Sequence, residues 1–219
     1  SRILLKFPVS KISSDRTAGT VPASGSVDFY LRLYNVEHAS TLPSKFYLTV
    51  AGATNSWQEG VGLDMETYSD KDEANWIDRK LGSAWAIVGG DFHTGAYAGL
   101  PAGTNLPWYD VYFEKGTEDL ELNITSLVEE WIATNEAATV NNGIGIFLSG
   151  TYEAYNSNSA GTHTTSSMHN LEGAKRSYYT KKFSARGTEY FFKRPTIEAR
   201  WNSATKDDTG NFFLSSSLL

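Results

Sequence analysis

Apolar and polar residues alternate with a period of two through much of this chain. Residues 26–36 (SVDFYLRLYNV) set Val27, Phe29, Leu31 and Leu33 against Asp28, Tyr30, Arg32 and Tyr34, one face for a core and one for water. Residues 45–50 (KFYLTV) place Phe46, Leu48 and Val50 together in the same way. Further strands are predicted at 3–7, 108–114, 119–124, 178–186 and 195–201, the last with Ile197, Ala199 and Trp201 on one face. Residues 143–148 (GIGIFL) are apolar throughout, as in a central strand covered on both sides. Turn chemistry separates these runs: Ala23-Ser24-Gly25, Gly89-Gly90-Asp91, Lys115-Gly116 and Asn141-Asn142-Gly143.

Helical spacing is read once. Leu127, Val128, Trp131 and Ile132 form an apolar stripe, with Ser126 as the predicted cap and Glu129 three residues on, the spacing of a capping box. The expectation is an all-β chain, an antiparallel jelly-roll-like β-sandwich with one short helix over residues 126–134 closing an end. No strand–helix alternation suggests a doubly wound or barrel enzyme. Two long segments, 56–104 and 150–177, read as loops; the second is rich in Ser, Thr, Asn and Gly and suits a variable contact surface.

Composition sharpens this picture. The chain has 219 residues, 40% hydrophobic and 20% charged, enough for one large β domain without staples. It has no cysteine, which removes disulfides, thiolate metal sites and thiol nucleophiles. Net charge is −6 with acid and base interspersed, so there is no basic block for nucleic acid. No run approaches the roughly 20 apolar residues of a membrane span. The apolar opening (Ile3-Leu4-Leu5) and close (Phe212-Phe213-Leu214, Leu218-Leu219) are read as limits of a longer polypeptide, with residues 206–219 a linker or the start of a following domain.

Catalytic signatures are missing: no His-Glu-x-x-His, no phosphate loop, no Gly-x-Ser-x-Gly elbow. Gly143-Ile144-Gly145 lies within a strand and is no dinucleotide fingerprint. His163 and His169 read as solvated loop histidines. Glu59, Asp64, Glu66, Asp70, Asp72 and Asp91 crowd the first long loop. Their main reading is a solvated face. Asp64, Glu66 and Asp91 are the candidates for Ca²⁺, which takes oxygen ligands in flexible loops, though no EF-hand spacing is present. No other cofactor is implied. Trp57, Trp76 and Trp85 fall within thirty residues. They can stack on sugar rings or plug a core, and burial is the expectation for them, for Trp131 and for Trp201. Asn123-Ile124-Thr125 is a formal glycosylation sequon, but its place beside a strand and helix cap favours a structural role.

The order of these pieces resembles the DNRLRE-type domain, a jelly-roll-like sandwich of bacterial surface proteins and polysaccharide-associated modules. Leu4-Leu5-Lys6-Phe7-Pro8-Val9 is similar to that family's LLRFDL strand, with Pro8 where many relatives carry Asp. Tyr30-Leu31-Arg32-Leu33-Tyr34 resembles ATLRLY, Trp57-Gln58-Glu59-Gly60 its W-x-E-G turn, and Ala74-Asn75-Trp76 its TW step. Trp85 with Gly89-Gly90-Asp91 resembles W…GGD. Leu122-Asn123-Ile124-Thr125-Ser126-Leu127-Val128 with Trp131 resembles DVTSLVQEW, and Asn142-Gly143-Ile144-Gly145 resembles NNGFLL. Phe183-Ser184-Ala185-Arg186 and Arg194-Pro195-Thr196-Ile197-Glu198-Ala199 complete the series. The resemblance runs in order from residue 1 to about 202 and implies a domain over 1–205.

A narrower resemblance, at Gly62-Leu63-Asp64-Met65-Glu66-Thr67, residues 179–187 and Lys193-Arg194-Pro195, points to structural proteins of tailed phages of marine bacteria. It implies a non-catalytic structural or decoration module of a virion, partnered by other virion proteins or by itself. The alternative is a carbohydrate-binding module, secreted or on a cell surface, holding its carrier to a surface glycan. No nucleic-acid or membrane partner is implied, and no catalytic residue is carried over. Trp57, Glu59, Trp76, Trp85, Trp131, Arg186 and Arg194 are expected to be structural, the two arginines bridging carboxylate and backbone oxygens.

Overall fold

A computed structural model describes residues 2–60, 73–93, 108–133, 141–148 and 180–203. Their strands are β1 (Ile3–Leu5), β2 (Asp28–Leu33), β3 (Phe46–Gly52), β4 (Asp78–Lys80), β5 (Ser83–Ala84), β6 (Trp108–Phe113), β7 (Leu120–Asn123), β8 (Ile144–Leu148) and β9 (Thr196–Arg200). Helices α1 (Ser10–Thr17) and α2 (Thr125–Ala133) and a 3₁₀ turn (Phe191–Lys193) complete the described elements. β1-β8-β3-β6 form one sheet, β7-β2-β9 a second, and β4-β5 a small hairpin; all described pairs are antiparallel.

The period-two pattern decides what each sheet buries. In β2, Phe29, Leu31 and Leu33 are buried while Tyr30 and Arg32 face outward. From the other sheet, Phe46, Leu48 and Val50 of β3, Phe113 of β6 and Ile144 and Ile146 of β8 enter the same core. The two inner faces thus share one apolar interior, an all-β sandwich. Helix α2 caps it with Leu127, Val128 and the fully buried Trp131.

The helix begins one residue earlier than its stripe suggests. The Asn123 side-chain oxygen accepts the Thr125 N–H (3.0 Å) and hydroxyl (2.7 Å), and Thr125 Oγ1 accepts the Phe29 N–H at 2.8 Å, tying the helix start to β2. Ser126 instead meets the Tyr109 hydroxyl at 3.3 Å. Glu129 does not close a capping box; it takes a two-pronged ion pair from Arg16 of α1, one contact at 2.7 Å through Nη1 and the other through Nη2. That guanidinium holds the Glu129 carboxyl below its usual range.

Three expectations need correction. The single predicted helix is joined by α1, whose sequence SKISSDRT has no apolar stripe. It rests on the Arg16–Glu129 pair and on Val9, buried just before its first turn, so its stabilisation is tertiary. Of the strand expected at 178–186, the described part makes one bridge, Phe183 to Asn35. It is held by backbone bonds from Val36 N–H to Lys182 O and from Ser184 N–H to Tyr34 O, and by Lys181, whose ammonium donates to Asn35 Oδ1 and to the Gly116 and Glu118 carbonyls at 2.6–2.9 Å. Finally, the first long loop contains the β4-β5 hairpin. Residues 206–219 and the loop 150–177 lie outside the described residues.

Candidate binding face

The alternation that sends Phe46, Leu48 and Val50 inward sends Tyr47, Thr49 and Ala51 outward. Register places Tyr112, Asp110 and Trp108 of β6 beside them in that order, and Phe147 and Gly145 of β8 on the other side of Thr49 and Ala51. The exposed positions of this outer face are therefore aromatic where a solvated face is normally charged, while Thr49, Ala51 and Phe147 between and beside them are buried. Tyr47, Trp108 and Tyr112 are 40%, 41% and 46% exposed, well outside any core. Tyr47 and Tyr112 lie ring to ring at 5.0 Å, and Trp108 meets Phe147 edge-on at 5.5 Å. Between these two aromatic groups sits exposed Asp110, which accepts the Thr49 hydroxyl at 2.7 Å.

At the β8 end the face is roofed. Phe92 lies across Gly145 and beside Phe147, ring centroids 4.9 Å apart. The Arg2 guanidinium sits 4.6 Å from the Phe147 ring, 5.3 Å from Trp76 and 5.6 Å from Phe92, and donates to the Gly89 carbonyl at 3.2 Å. Trp76 is thus exposed, at 45%, rather than buried as expected, and Trp201 is also exposed. The other tryptophans serve the fold. Trp131 and Trp85 are buried, with Trp85 Nε1 donating to Asn75 O at 3.0 Å; half-buried Trp57 donates to Asn142 O at 2.8 Å.

The opposite sheet presents charge instead. Arg32, Glu121, Glu198 and Arg200 interlock through contacts of 2.8–3.5 Å, and the two arginines hold the Glu198 carboxyl down at about 2. Arg200 also covers the Tyr30 ring at 4.1 Å. That face satisfies its own charges. A cleft of about 470 Å³ opens along β1, lined by Leu4, Leu5, Leu33, Phe183 and Pro195, with Arg186 and Glu59 paired at 3.2 Å on its exposed rim. Arg194 reaches the Thr188 carbonyl through Nε and Nη2 at 3.4 and 3.3 Å and lies over Phe191, so among the described residues its oxygen partner is a backbone carbonyl.

Asp91 was a candidate Ca²⁺ ligand. Its carboxylate is buried and accepts the Ile87 N–H (2.7 Å), the Ala86 N–H (2.9 Å) and the Asn55 amide (2.8 Å). Three N–H donors point their positive ends at it, a setting that suits a structural corner and not a cation. Asp64 and Glu66 lie outside the described residues, as do His163 and His169. Among the described residues no group of three or more His, Cys, Asp or Glu comes together to hold a metal. No described helix is long and apolar enough to cross a membrane.

Sequence reasoning missed the aromatic face because it followed the apolar partners of each alternating run. The signal was present in the other half of the pattern, Tyr47-x-Thr49 and Trp108-x-Asp110-x-Tyr112. No family model, curated protein or solved structure matches this chain.

Proposed function

We propose that this chain is a non-catalytic β-sandwich module of DNRLRE type, jelly-roll-like in topology, that serves as a structural or decoration element of a tailed-phage virion. The observation that supports it is where the chemistry-bearing residues of its recurring motifs are spent. Trp57, Trp85, Asp91 and Asn142 each direct their polar atoms at backbone groups, closing corners between strands. Asn142 both accepts from Trp57 and donates to the Thr54 carbonyl, so one corner joins β3 to β8. Side chains committed to backbone in this way stabilise a scaffold and are not positioned to act on a substrate. Immunogold labelling of purified particles, with sedimentation of the full-length polypeptide, tests this. A particle-bound oligomer is expected. A stable monomer that releases reducing ends from a polysaccharide overturns the proposal.

A second reading has its own observation. Tyr47, Trp108 and Tyr112 face solvent on the same sheet side with exposed Asp110 among them, and exposed Trp76 joins that side through Arg2. Flat rings beside hydrogen-bonding groups suit sugar, whose C–H faces stack on aromatics while its hydroxyls are bonded at the edges. A glycan-attachment module and a virion component are compatible in one adhesin.

A further inference from the structure

We infer that the glycan site is the β6 stripe Trp108–Asp110–Tyr112 with Tyr47 of β3, and that it takes a neutral, extended polysaccharide in preference to a polyanionic one. This rests on the glycan-attachment reading above. Trp108 and Tyr112 are four residues apart on one face of a strand, so their Cα atoms stand ~13 Å apart along it. That spacing gives two stacking platforms with room between them for a bridging stretch of oligosaccharide. The span is flat because the intervening outward residue is a single short side chain, Asp110, pinned by the Thr49 hydroxyl. Among the described residues β6 is the outermost strand of its sheet, so the stripe runs along that border.

Charge selects the polymer class. Asp110 lies at the centre of the stripe, and Glu114 lies at its end, where its Oε2 accepts the Tyr112 hydroxyl at 2.5 Å. Both carboxylates accept hydrogen bonds from sugar hydroxyls, and both repel uronates and sulfates. Lys45 pairs with Glu114 only loosely, at 3.9 Å. Arg2, the cation at the roofed end, is engaged with Gly89 and three rings. The exposed aromatics of the 3₁₀ turn, Phe191 and Phe192, meet edge-on at 5.5 Å. They follow in sequence with no intervening acceptor and offer no comparable platform.

Affinity electrophoresis of the chain through gels containing barley β-glucan or galactomannan (neutral) and alginate or polygalacturonate (anionic) tests the inference. A neutral polymer is expected to retard the protein. Trp108→Ala and Tyr112→Ala are each expected to weaken retention about tenfold while Phe192→Ala leaves it unchanged. Melting curves of each variant separate lost binding from lost fold, and Asp110→Asn, which keeps the size of the side chain, is expected to admit alginate. Retention by anionic gels alone, still lost in Trp108→Ala, overturns the neutral class and leaves the attachment reading standing. Neutral retention that survives both aromatic substitutions in folded variants overturns the site. No retention by any gel overturns both. A dimer in sedimentation that Trp108→Ala dissolves would make the face an interface between copies, which also overturns the inference.

Discussion

Gly145→Ala tests the packing of the roofed end of the aromatic sheet face, because a single methyl there has nowhere to go. A Cβ built on Gly145 would lie 1.9 Å from Phe92 Cε1, with two further ring carbons within 2.7 Å. The backbone conformation is not the obstacle, since Gly145 does not adopt positive φ. With the site empty, Gly→Ala in a strand would stabilise by roughly 0.4–1 kcal/mol by narrowing the unfolded ensemble. Here the ring must leave. Phe92 is half-buried, so its displacement forfeits about 1–1.5 kcal/mol of the roughly 1.5–3 kcal/mol that full burial gives. The Phe92–Phe147 pair at 4.9 Å adds about 1 kcal/mol to the loss. Gly145→Ala should therefore cost about 2 kcal/mol, or a melting decrease of roughly 4–8 °C for a chain of this length.

The sign should invert once the ring is gone. Phe92→Ala alone should cost about 2 kcal/mol, and adding Gly145→Ala to it should cost nothing further or recover up to about 1 kcal/mol. Urea unfolding of the four proteins, read by tryptophan fluorescence at constant m-value, measures the coupling. Additive costs, or a Gly145→Ala midpoint equal to that of the parent, would refute the packing of Phe92 on β8.

His93 is buried, and burial pushes its imidazole from 6.5 down to about 4. Its folded pKa lies below the unfolded one, so its contribution is full above pH 6.5 and is lost as pH falls from 6.5 towards 4. The loss should reach about 3 kcal/mol, and His93→Gln should flatten the difference between urea midpoints at pH 7 and 4.5 relative to the parent. Trp131→Ala, at a fully buried site, should cost about 3–5 kcal/mol in urea unfolding, whereas Phe192→Ala, at 87% exposure, should stay within about 0.5 kcal/mol. Glu129→Gln weakens the charge-assisted pair that joins α2 to α1. It should cost about 2 kcal/mol, with faster hydrogen exchange at the Thr17 and Ala18 amides, which bond within α1 and its cap, than at Val128.

What was legible in the sequence and what was not divide along a physical line. Strand existence was legible where one face is buried, since that writes period two into the chain, as β2 shows, and in β8 through an unbroken apolar run, since it is covered on both faces. Helix α2 was legible for the same reason at helical spacing, through Leu127, Val128 and Trp131. Helix α1 was not, because what holds it is a pair between residues 16 and 129, a coincidence of two distant charges that no local window contains. The tryptophans show the limit most clearly. Trp76 and Trp85 are nine residues apart in similar surroundings, yet one is exposed and the other buried. The difference lies in which described neighbours return to them: Trp85 finds the Asn75 carbonyl, and Trp76 meets Arg2 from the first residues of the chain. The aromatic face was hidden by the reading itself. In an alternating strand the apolar positions are taken as the informative ones, and the outward positions are written off as wet. An aromatic at an outward position costs solvent exposure and gains nothing for the core, so Tyr47, Trp108 and Tyr112 together on one outward face call for an explanation other than folding.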